Sequence, residues 1–334
     1  MKHRVTLLPG DGIGPEVCQA TRQVIEAAGT EIEWEIVEAG TEAIKKYGTP
    51  LPEQVLESIK QNKVALKGPV TTPVGEGFQS VNVALRKQLN LFANVRPINS
   101  KYGISERYLN VDMVIVRENT EDVYSGLEQD IAPGVAQTLK IITRTASERI
   151  ARFAFEYARK YQRKTVQAVH KANIMKKSDG LFLQCCRTVA ANYPDIQYKE
   201  IIVDNCAMQM VMRPQQFDVM VMTNLYGDII SDLGAGLVGG LGLVPGVNYG
   251  EDLAVFEAVH GSAPDIAGKN IANPLALILS AELMLRYLGE ETAANHLKHA
   301  VIVLLTERQH LTPDMGGTAT TNELTEVLIR EILH

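Results

Sequence analysis

Apolar and polar positions alternate in short blocks along most of the chain. Arg4–Leu8 reads as a strand, Pro9-Gly10-Asp11-Gly12-Ile13-Gly14-Pro15 as a glycine turn, and Glu16–Ala28 as a helix. Pro15 sits in the first helical turn as a start signal, and Gly29 follows as a stop. Trp34–Glu38 predicts a second strand, Leu51–Gln61 a second helix and Lys63–Lys67 a third strand. Asp112–Arg117, Thr165–His170, Glu200–Asp204 and Asp218–Met222 continue the series. Short apolar strands alternating with helices predict an α/β fold with a largely parallel sheet. One segment departs from this pattern. Val123–Ile131 and Ala136–Arg144 alternate like strands around Ala132-Pro133-Gly134-Val135, which predicts a hairpin with no helix between its strands. Such a hairpin is either an arm that pairs with a second copy of the chain or a plain surface feature. Gly234–Gly250 is glycine-rich but apolar between the glycines, which predicts close helix contacts and a turn.

Length and composition narrow the class. A chain of 334 residues exceeds the usual single-domain size, so two domains or one large α/β unit are expected. Hydrophobic residues make up 46% and charged residues 22%, as in an ordinary globular enzyme and unlike a disordered chain. The net charge of -6 argues against nucleic acid or an anionic membrane as partner. An anionic substrate must then meet a local cluster of basic residues. Cys18, Cys185, Cys186 and Cys206 have no zinc-type spacing, and the adjacent pair is poor disulfide geometry, so a reducing compartment is expected. The N-terminal apolar run is too short for a signal peptide and no stretch is long enough for a membrane span. A cytoplasmic location is the expectation.

Several residues carry candidate chemistry. Gly10, Gly12 and Gly14 follow a strand and open a helix, as a nucleotide-binding turn would, but the spacing is not G-x-G-x-x-G and suits a tight strand-to-helix turn equally. Asn224-Leu-Tyr-Gly-Asp228-Ile-Ile-Ser-Asp232 places two carboxylates four residues apart, on one face of a helix. Like charges there call for a compensating cation, and oxygen ligands suit Mg²⁺ or Mn²⁺. Asp204, which closes the strand of Ile201-Ile202-Val203, offers a third carboxylate. Arg86, Arg96 and Arg117 lie near element ends, and a guanidinium binds carboxylates bidentately. Ser80 and Asn82 resemble a helix start, where free N–H groups receive anions. Tyr124, just after a run of polar residues, and Lys171, where a strand ends, are candidate proton-transfer groups.

The stretches LLPGDGIGPEV, GPVTTPVGEG, SVNVALRK, ANVRP, VRENTEDVYSG, VHKANIM, NLYGDIISD and FEAVHGSAPDIAGKNIANP occur in order along the chain. Together they resemble the isocitrate and isopropylmalate dehydrogenase family, most closely its NAD-dependent isocitrate dehydrogenases. The resemblance implies that family's two-domain α/β fold, a mixed sheet flanked by helices rather than a standard Rossmann fold, with a clasp hairpin about 123–144. It implies a large domain of residues 1–98 and 250–334 and a small domain of 99–249. It also implies a homodimer with shared active sites, and leaves open a higher homo-oligomer.

By motif match, Tyr124 and Lys171 are the implied catalytic pair, and Ser80, Asn82, Arg86, Arg96 and Arg117 hold the carboxylates of a small tricarboxylate. Asp204, Asp228 and Asp232 are the implied Mg²⁺ or Mn²⁺ ligands, with Lys171 and Asp204 supplied by a second subunit. NAD contacts are implied for Thr71, His260, Gly261, Ser262, Ala263, Asp265, Ile266, Asn273 and Asp314. Asp265 accepts hydrogen bonds from ribose hydroxyls and would repel a 2′-phosphate. The family's NADP enzymes carry Lys-Tyr at the positions of Asp265-Ile266, and Pro313 stands where they carry a further Tyr. The implied reaction is oxidative decarboxylation of isocitrate to 2-oxoglutarate and CO₂. Homoisocitrate, 3-isopropylmalate and a silent regulatory subunit are the alternatives.

Overall fold

The computed structural model of the chain describes residues 2–71 and 80–334. Residues 72–79, within the GPVTTPVGEG stretch, lie outside the described residues. In chain order the strands are β1 (His3–Leu8), β2 (Ile32–Ile36), β3 (Val64–Lys67), β4 (Ala93–Asn99), β5 (Asp112–Glu118), β6 (Glu128–Ala132), β7 (Val135–Thr138), β8 (Thr165–His170), β9 (Gln197–Ile202), β10 (Val219–Met222), β11 (Pro245–Tyr249) and β12 (Ala254–Ala258). The helices are α1 (Gly14–Ala27), α2 (Thr41–Tyr47), α3 (Glu53–Asn62), α4 (Val81–Gln88), α5 (Arg144–Lys160), α6 (Ser178–Ala190), α7 (Val203–Met212), α8 (Asn224–Val238), α9 (Leu275–Tyr287), α10 (Glu291–Glu307) and α11 (Thr321–Leu333).

The chain divides into two compact units, one of Met1–Leu89, Lys101–Glu106 and Val238–His334, the other of Asn90–Ser100 and Arg107–Leu237. In the first, strands run in the order β2-β1-β3-β12-β11, parallel except for the antiparallel pair β11–β12. Helix α9 is the core of this unit: Leu275, Ala276, Leu277, Ile278, Ala281, Met284 and Leu285 are fully buried. A helix apolar on nearly every side is one enclosed by neighbours, here β11 and β12, α1 and α10.

In the second unit the order is β4-β5-β10-β8-β9, parallel except for β4–β5. Helix α5 buries Ile150, Ala151, Ala154, Phe155 and Ala158 at helical spacing against β5, β10 and α6. Its N-cap Thr143 accepts from the Ala146 N–H.

The unit boundaries differ from the sequence expectation of 1–98 plus 250–334 against 99–249. Residues 90–100 join the second unit because β4 pairs along its whole length with β5. Residues 238–249 join the first because β11 pairs with β12. The hairpin is also shorter than expected. Regular pairing is confined to β6 and β7, with an isolated antiparallel bridge between Asp122 and Ile141 at its base, while Val123–Ser125 forms a helical turn capped by the Asp122 carboxylate. Asp204 lies in the first turn of α7 and not at a strand end. Gly234 does permit a close contact, since a Cβ there would lie 3.1 Å from Ile98 Cγ1. All four cysteines are free and buried. Among the described residues no helix is long and apolar enough to cross a membrane.

Candidate active site

The polar centre of the second unit is built on one face of a strand pair. Asn94 of β4 stands opposite Arg117 of β5 in the antiparallel register, and Arg96 is two residues along from Asn94. Cross-strand partners and i, i+2 neighbours share a face, so all three side chains project together. Arg117 donates from Nε and Nη2 to Asn224 Oδ1 at 2.9 and 2.6 Å and from Nη1 to Asp228, one turn further along α8. Arg96 donates to Asn94 at 3.0 Å, to Ser231, and to Asp232 at 3.1 Å. Both arginines are buried while Asp232 is exposed.

A glycine makes this possible. A Cβ at Gly227 would lie 2.3 Å from Arg117 Cγ and 2.5 Å from Arg117 Cβ, so the arginine lies where any side chain at position 227 would be. Gly227→Ala is therefore expected to push Arg117 off Asn224 and Asp228. Losing one charge-assisted contact of ~1.5–3 kcal/mol corresponds to a rise of roughly 10–100-fold in KM for an anionic substrate. Steady-state kinetics on the folded variant would check this, and an unchanged KM would count against Arg117 as a substrate contact.

Tyr124 donates to Asp228 Oδ2 at 2.5 Å, and the Arg117 guanidinium lies 5.2 Å from its ring centroid. Burial, with the bond to Asp228, holds the Tyr124 phenol above its ordinary pKa. Burial pushes the Asp228 carboxyl up, but Arg117, the Tyr124 bond and Arg96 outweigh it and hold the group below the usual carboxylate range. Near neutral pH the site therefore holds a neutral phenol beside an ionised carboxylate.

Lys171 follows β8 directly and pairs with Asp204. Asp204 remains two-thirds exposed, and the hydrogen bond from Lys171 holds its carboxyl below the usual range. Within one chain, the described residues bring no three His, Cys, Asp or Glu side chains together as a metal cage. Asp228 and Asp232 nonetheless fit a share of one. They are hard oxygen donors one turn apart, and the cluster already draws positive charge to them in the form of Arg117 and Arg96.

The remaining candidates lie in the first unit. Ser80 precedes α4, and Asn82 and Arg86 are four apart on it. Asn82 Oδ1 and Arg86 Nε are buried with no hydrogen-bond partner among the described residues. Arg86 Nη2 lies 3.4 Å from Glu257. Glu257 in turn pairs with Lys67 at 2.6 Å and accepts from Asn248 at 2.7 Å. The sequence reading missed this buried group. Its only signal is a lone charge in each of two otherwise apolar strands, Val-Ala-Leu-Lys67 and Ala-Val-Phe-Glu257-Ala.

A cleft of about 500 Å³ in the same unit is lined by His260, Gly261, Ala263, Ile266, Asn273 and Asp314, six of the nine expected coenzyme residues, and by Pro313. Asn273 donates to Asp314 at 2.9 Å. His260 Nε2 is buried without a partner among the described residues, and burial holds its ring below the ordinary pKa, in the neutral form. Ser262 contacts Thr71, with 2.6 Å between hydroxyls, and Asp265 is exposed on the same loop. The glycine turn of β1–α1 serves this loop. The Ile13 N–H donates to Ser262 O at 2.9 Å, and a Cβ at Gly12 (φ 59°) would stand 1.9 Å from that oxygen. Asp11 accepts from the Thr71 N–H at 2.7 Å. The turn thus supports the His260–Ile266 loop by close backbone approach.

The family profile for isocitrate/isopropylmalate dehydrogenases matches residues 4–328. The chain belongs to this family. It is 55% identical to an NAD isocitrate dehydrogenase catalytic subunit 5, mitochondrial, of Arabidopsis thaliana, over 97% of this chain and 87% of that protein. It is also 55% identical to a chloroplastic 3-isopropylmalate dehydrogenase of Solanum tuberosum, over 90% of this chain and 84% of that one. The crystal structure of isocitrate dehydrogenase from Methylococcus capsulatus superposes with a TM-score of 0.95 at 50% identity, covering 99% of this chain and 100% of that one. Relatives include subunits named catalytic and subunits named regulatory. The family is a dehydrogenase family with an α/β fold, as the ordered motifs imply.

Proposed function

We propose that the chain is a catalytic, NAD-dependent isocitrate dehydrogenase that forms 2-oxoglutarate and CO₂ with Mg²⁺ or Mn²⁺. The observation that carries this reading is the pair of buried, unpartnered polar atoms on α4, Asn82 Oδ1 and Arg86 Nε. A carboxylated substrate gives the Arg86 Nε–H an acceptor, and a half-turn of the Asn82 amide would present its N–H₂ donors to the same carboxylate, whereas an isopropyl substituent would leave the buried Arg86 donor unpaired. Arg86, Arg96 and Arg117 hold carboxylates, and Lys171 of a second copy of the chain takes the proton from the 2-hydroxyl. The nicotinamide coenzyme, held by the His260–Ile266 loop, Asn273 and Asp314, supplies the hydride acceptor. A divalent ion on Asp228 and Asp232, with Asp204 from a second copy of the chain, would supply Lewis acidity at the oxygen being oxidised. Tyr124, kept neutral by burial and by Asp228, delivers the proton to the carbon that loses CO₂.

Assembly as a homodimer with shared sites suits the exposed position of Asp204 and the exposed Met208, Met212 and Ile229 on α7 and α8. Retention of Tyr124, Lys171, Asp204, Asp228 and Asp232 favours a catalytic over a regulatory subunit. The test is a comparison of kcat/KM for isocitrate, homoisocitrate and 3-isopropylmalate, each with NAD and NADP. Isocitrate with NAD is expected to lead, with isopropylmalate poorer by ~10⁴-fold and homoisocitrate by ~10–200-fold. A preference for isopropylmalate would overturn the substrate assignment. A chain that makes no reduced NAD yet activates another subunit would overturn the catalytic one.

A further inference from the structure

Behind Tyr124 and Lys171 lies a buried ionic cluster that none of the chemistry above uses. Lys140, two residues beyond β7, places its Nζ 3.3 Å from Asp122 Oδ1 and 3.3 Å from Asp179 Oδ1. Both aspartates are fully buried and Lys140 is nearly so. Thr223 Oγ1 at 3.3 Å and the Tyr226 ring, 4.2 Å to its centroid, complete the surroundings of the ammonium. Two carboxylates thus share one cation away from water, and removing the cation would leave like charges buried together.

The other contacts of these carboxylates give the cluster its meaning. Asp122 accepts from the Val123 N–H at 2.9 Å, which caps the turn carrying Tyr124. Its second oxygen accepts from the Leu225 N–H at 3.0 Å, in the first turn of α8 and three residues before Asp228. Asp122 holds φ at 75°, a backbone cost for a residue with a side chain, and its N–H donates to Ile141 O at 2.9 Å. Asp179 accepts from the Lys171 N–H at 2.6 Å. The backbone of one candidate catalytic residue hangs on Asp179, the turn of the other hangs on Asp122, and Lys140 joins the two.

We propose that Asp122, Lys140 and Asp179 are a positioning triad that holds the Tyr124 turn, the start of α8 and the Lys171 turn in one frame, so that Lys140 governs turnover without touching substrate. The proposal rests on the catalytic reading of Tyr124 and Lys171. A displacement of about 1 Å at a reacting group costs on the order of 100-fold in rate.

The experiment compares full-length wild type with Lys140→Met, Lys140→Arg and Asp179→Asn, using isocitrate, NAD and Mn²⁺. Fold is checked by circular dichroism and thermal midpoint, and NAD affinity by fluorescence titration. Lys140→Met is expected to lose about 100-fold in kcat per folded chain, with NAD affinity unchanged because the coenzyme cleft lies wholly in the other unit. Its isotope effect on kcat with substrate deuterated at C2 is expected to rise, as proton removal with hydride transfer becomes limiting. Lys140→Arg, which keeps the charge, should recover most of the rate. A folded Lys140→Met with kcat within threefold of wild type, or equal losses in Lys140→Met and Lys140→Arg, would overturn the triad. If Lys140→Met does not fold, Asp179→Asn decides, since it keeps the Asp122–Lys140 pair: a loss of at least tenfold in kcat with a raised isotope effect supports the proposal, and any other result overturns it. Tyr124→Phe and Lys171→Met report separately on the catalytic reading. If both stay active, that reading fails whatever the triad variants do.

Discussion

Lys171→Met is expected to lower kcat for isocitrate oxidation by roughly 10²–10⁴-fold, the usual contribution of a positioned general base. Methionine keeps the length and apolar stem of the side chain and removes only the amine. The substitution lies in the second unit, while the coenzyme cleft is lined by residues of the first, so NAD affinity should hold. The side chain is partly exposed and its ion pair with Asp204 is solvated, so little stability is at stake. Formation of reduced NAD, followed alongside a thermal midpoint, separates chemistry from folding. A folded variant within tenfold of wild-type kcat would remove Lys171 from the proton transfer.

The second large effect concerns stability. Lys67→Met leaves Glu257 buried with Arg86 as its one cationic partner among the described residues, and breaking a buried pair on one side costs ~3–5 kcal/mol. Urea unfolding should show a lower midpoint with an unchanged m-value. The same group predicts a pH dependence. Burial raises the Glu257 carboxyl, but Lys67 and Arg86 outweigh it and hold the folded pKa at about 2, below the ordinary 4.5. Because the folded pKa is depressed, the stabilisation is complete above 4.5 and is lost as pH falls toward 2. Wild-type unfolding free energy should therefore decline through that window, and Glu257→Gln should flatten the decline. Equal slopes in the two proteins would show that Glu257 is not the titrating group.

The fate of individual residues shows how far the sequence could be read. Strands β5 and β8 occupy nearly the predicted spans because their apolar residues, Met-Val-Ile-Val in β5 and Val166, Ala168 and Val169 in β8, are buried on both faces. Strand β4 was not predicted. It carries Asn94, Arg96 and Pro97 among its apolar residues, and Arg96 is buried with Asn94 beside it and Ser231 and Asp232 of α8 as partners. Helix α2 escaped for the opposite reason, burying Ala43 alone and showing no apolar stripe. At the site, Arg117, Tyr124 and Asp228 were legible because residue type and motif place them, and the structure joins them. Lys67, Lys140 and Glu257 were not. A charge in a sequence reads as solvated by default, and only the fold reveals that strands far apart in the chain bury it against its counter-ion.

The clasp hairpin has a consequence for how the protein ages in dilute solution. Its strands are solvent-exposed throughout most of their length, and Leu127, Ile131, Val135 and Leu139 show their apolar surface to water. A lone two-stranded ribbon of this kind is marginally stable. If the proposed homodimer forms through this hairpin, the ribbon should fray as copies separate on dilution, and a protease should nick Ala132–Val135 well before any strand of the main sheets. Cleavage there would then slow as protein concentration rises, and this short ribbon would serve as a gauge of the proposed assembly.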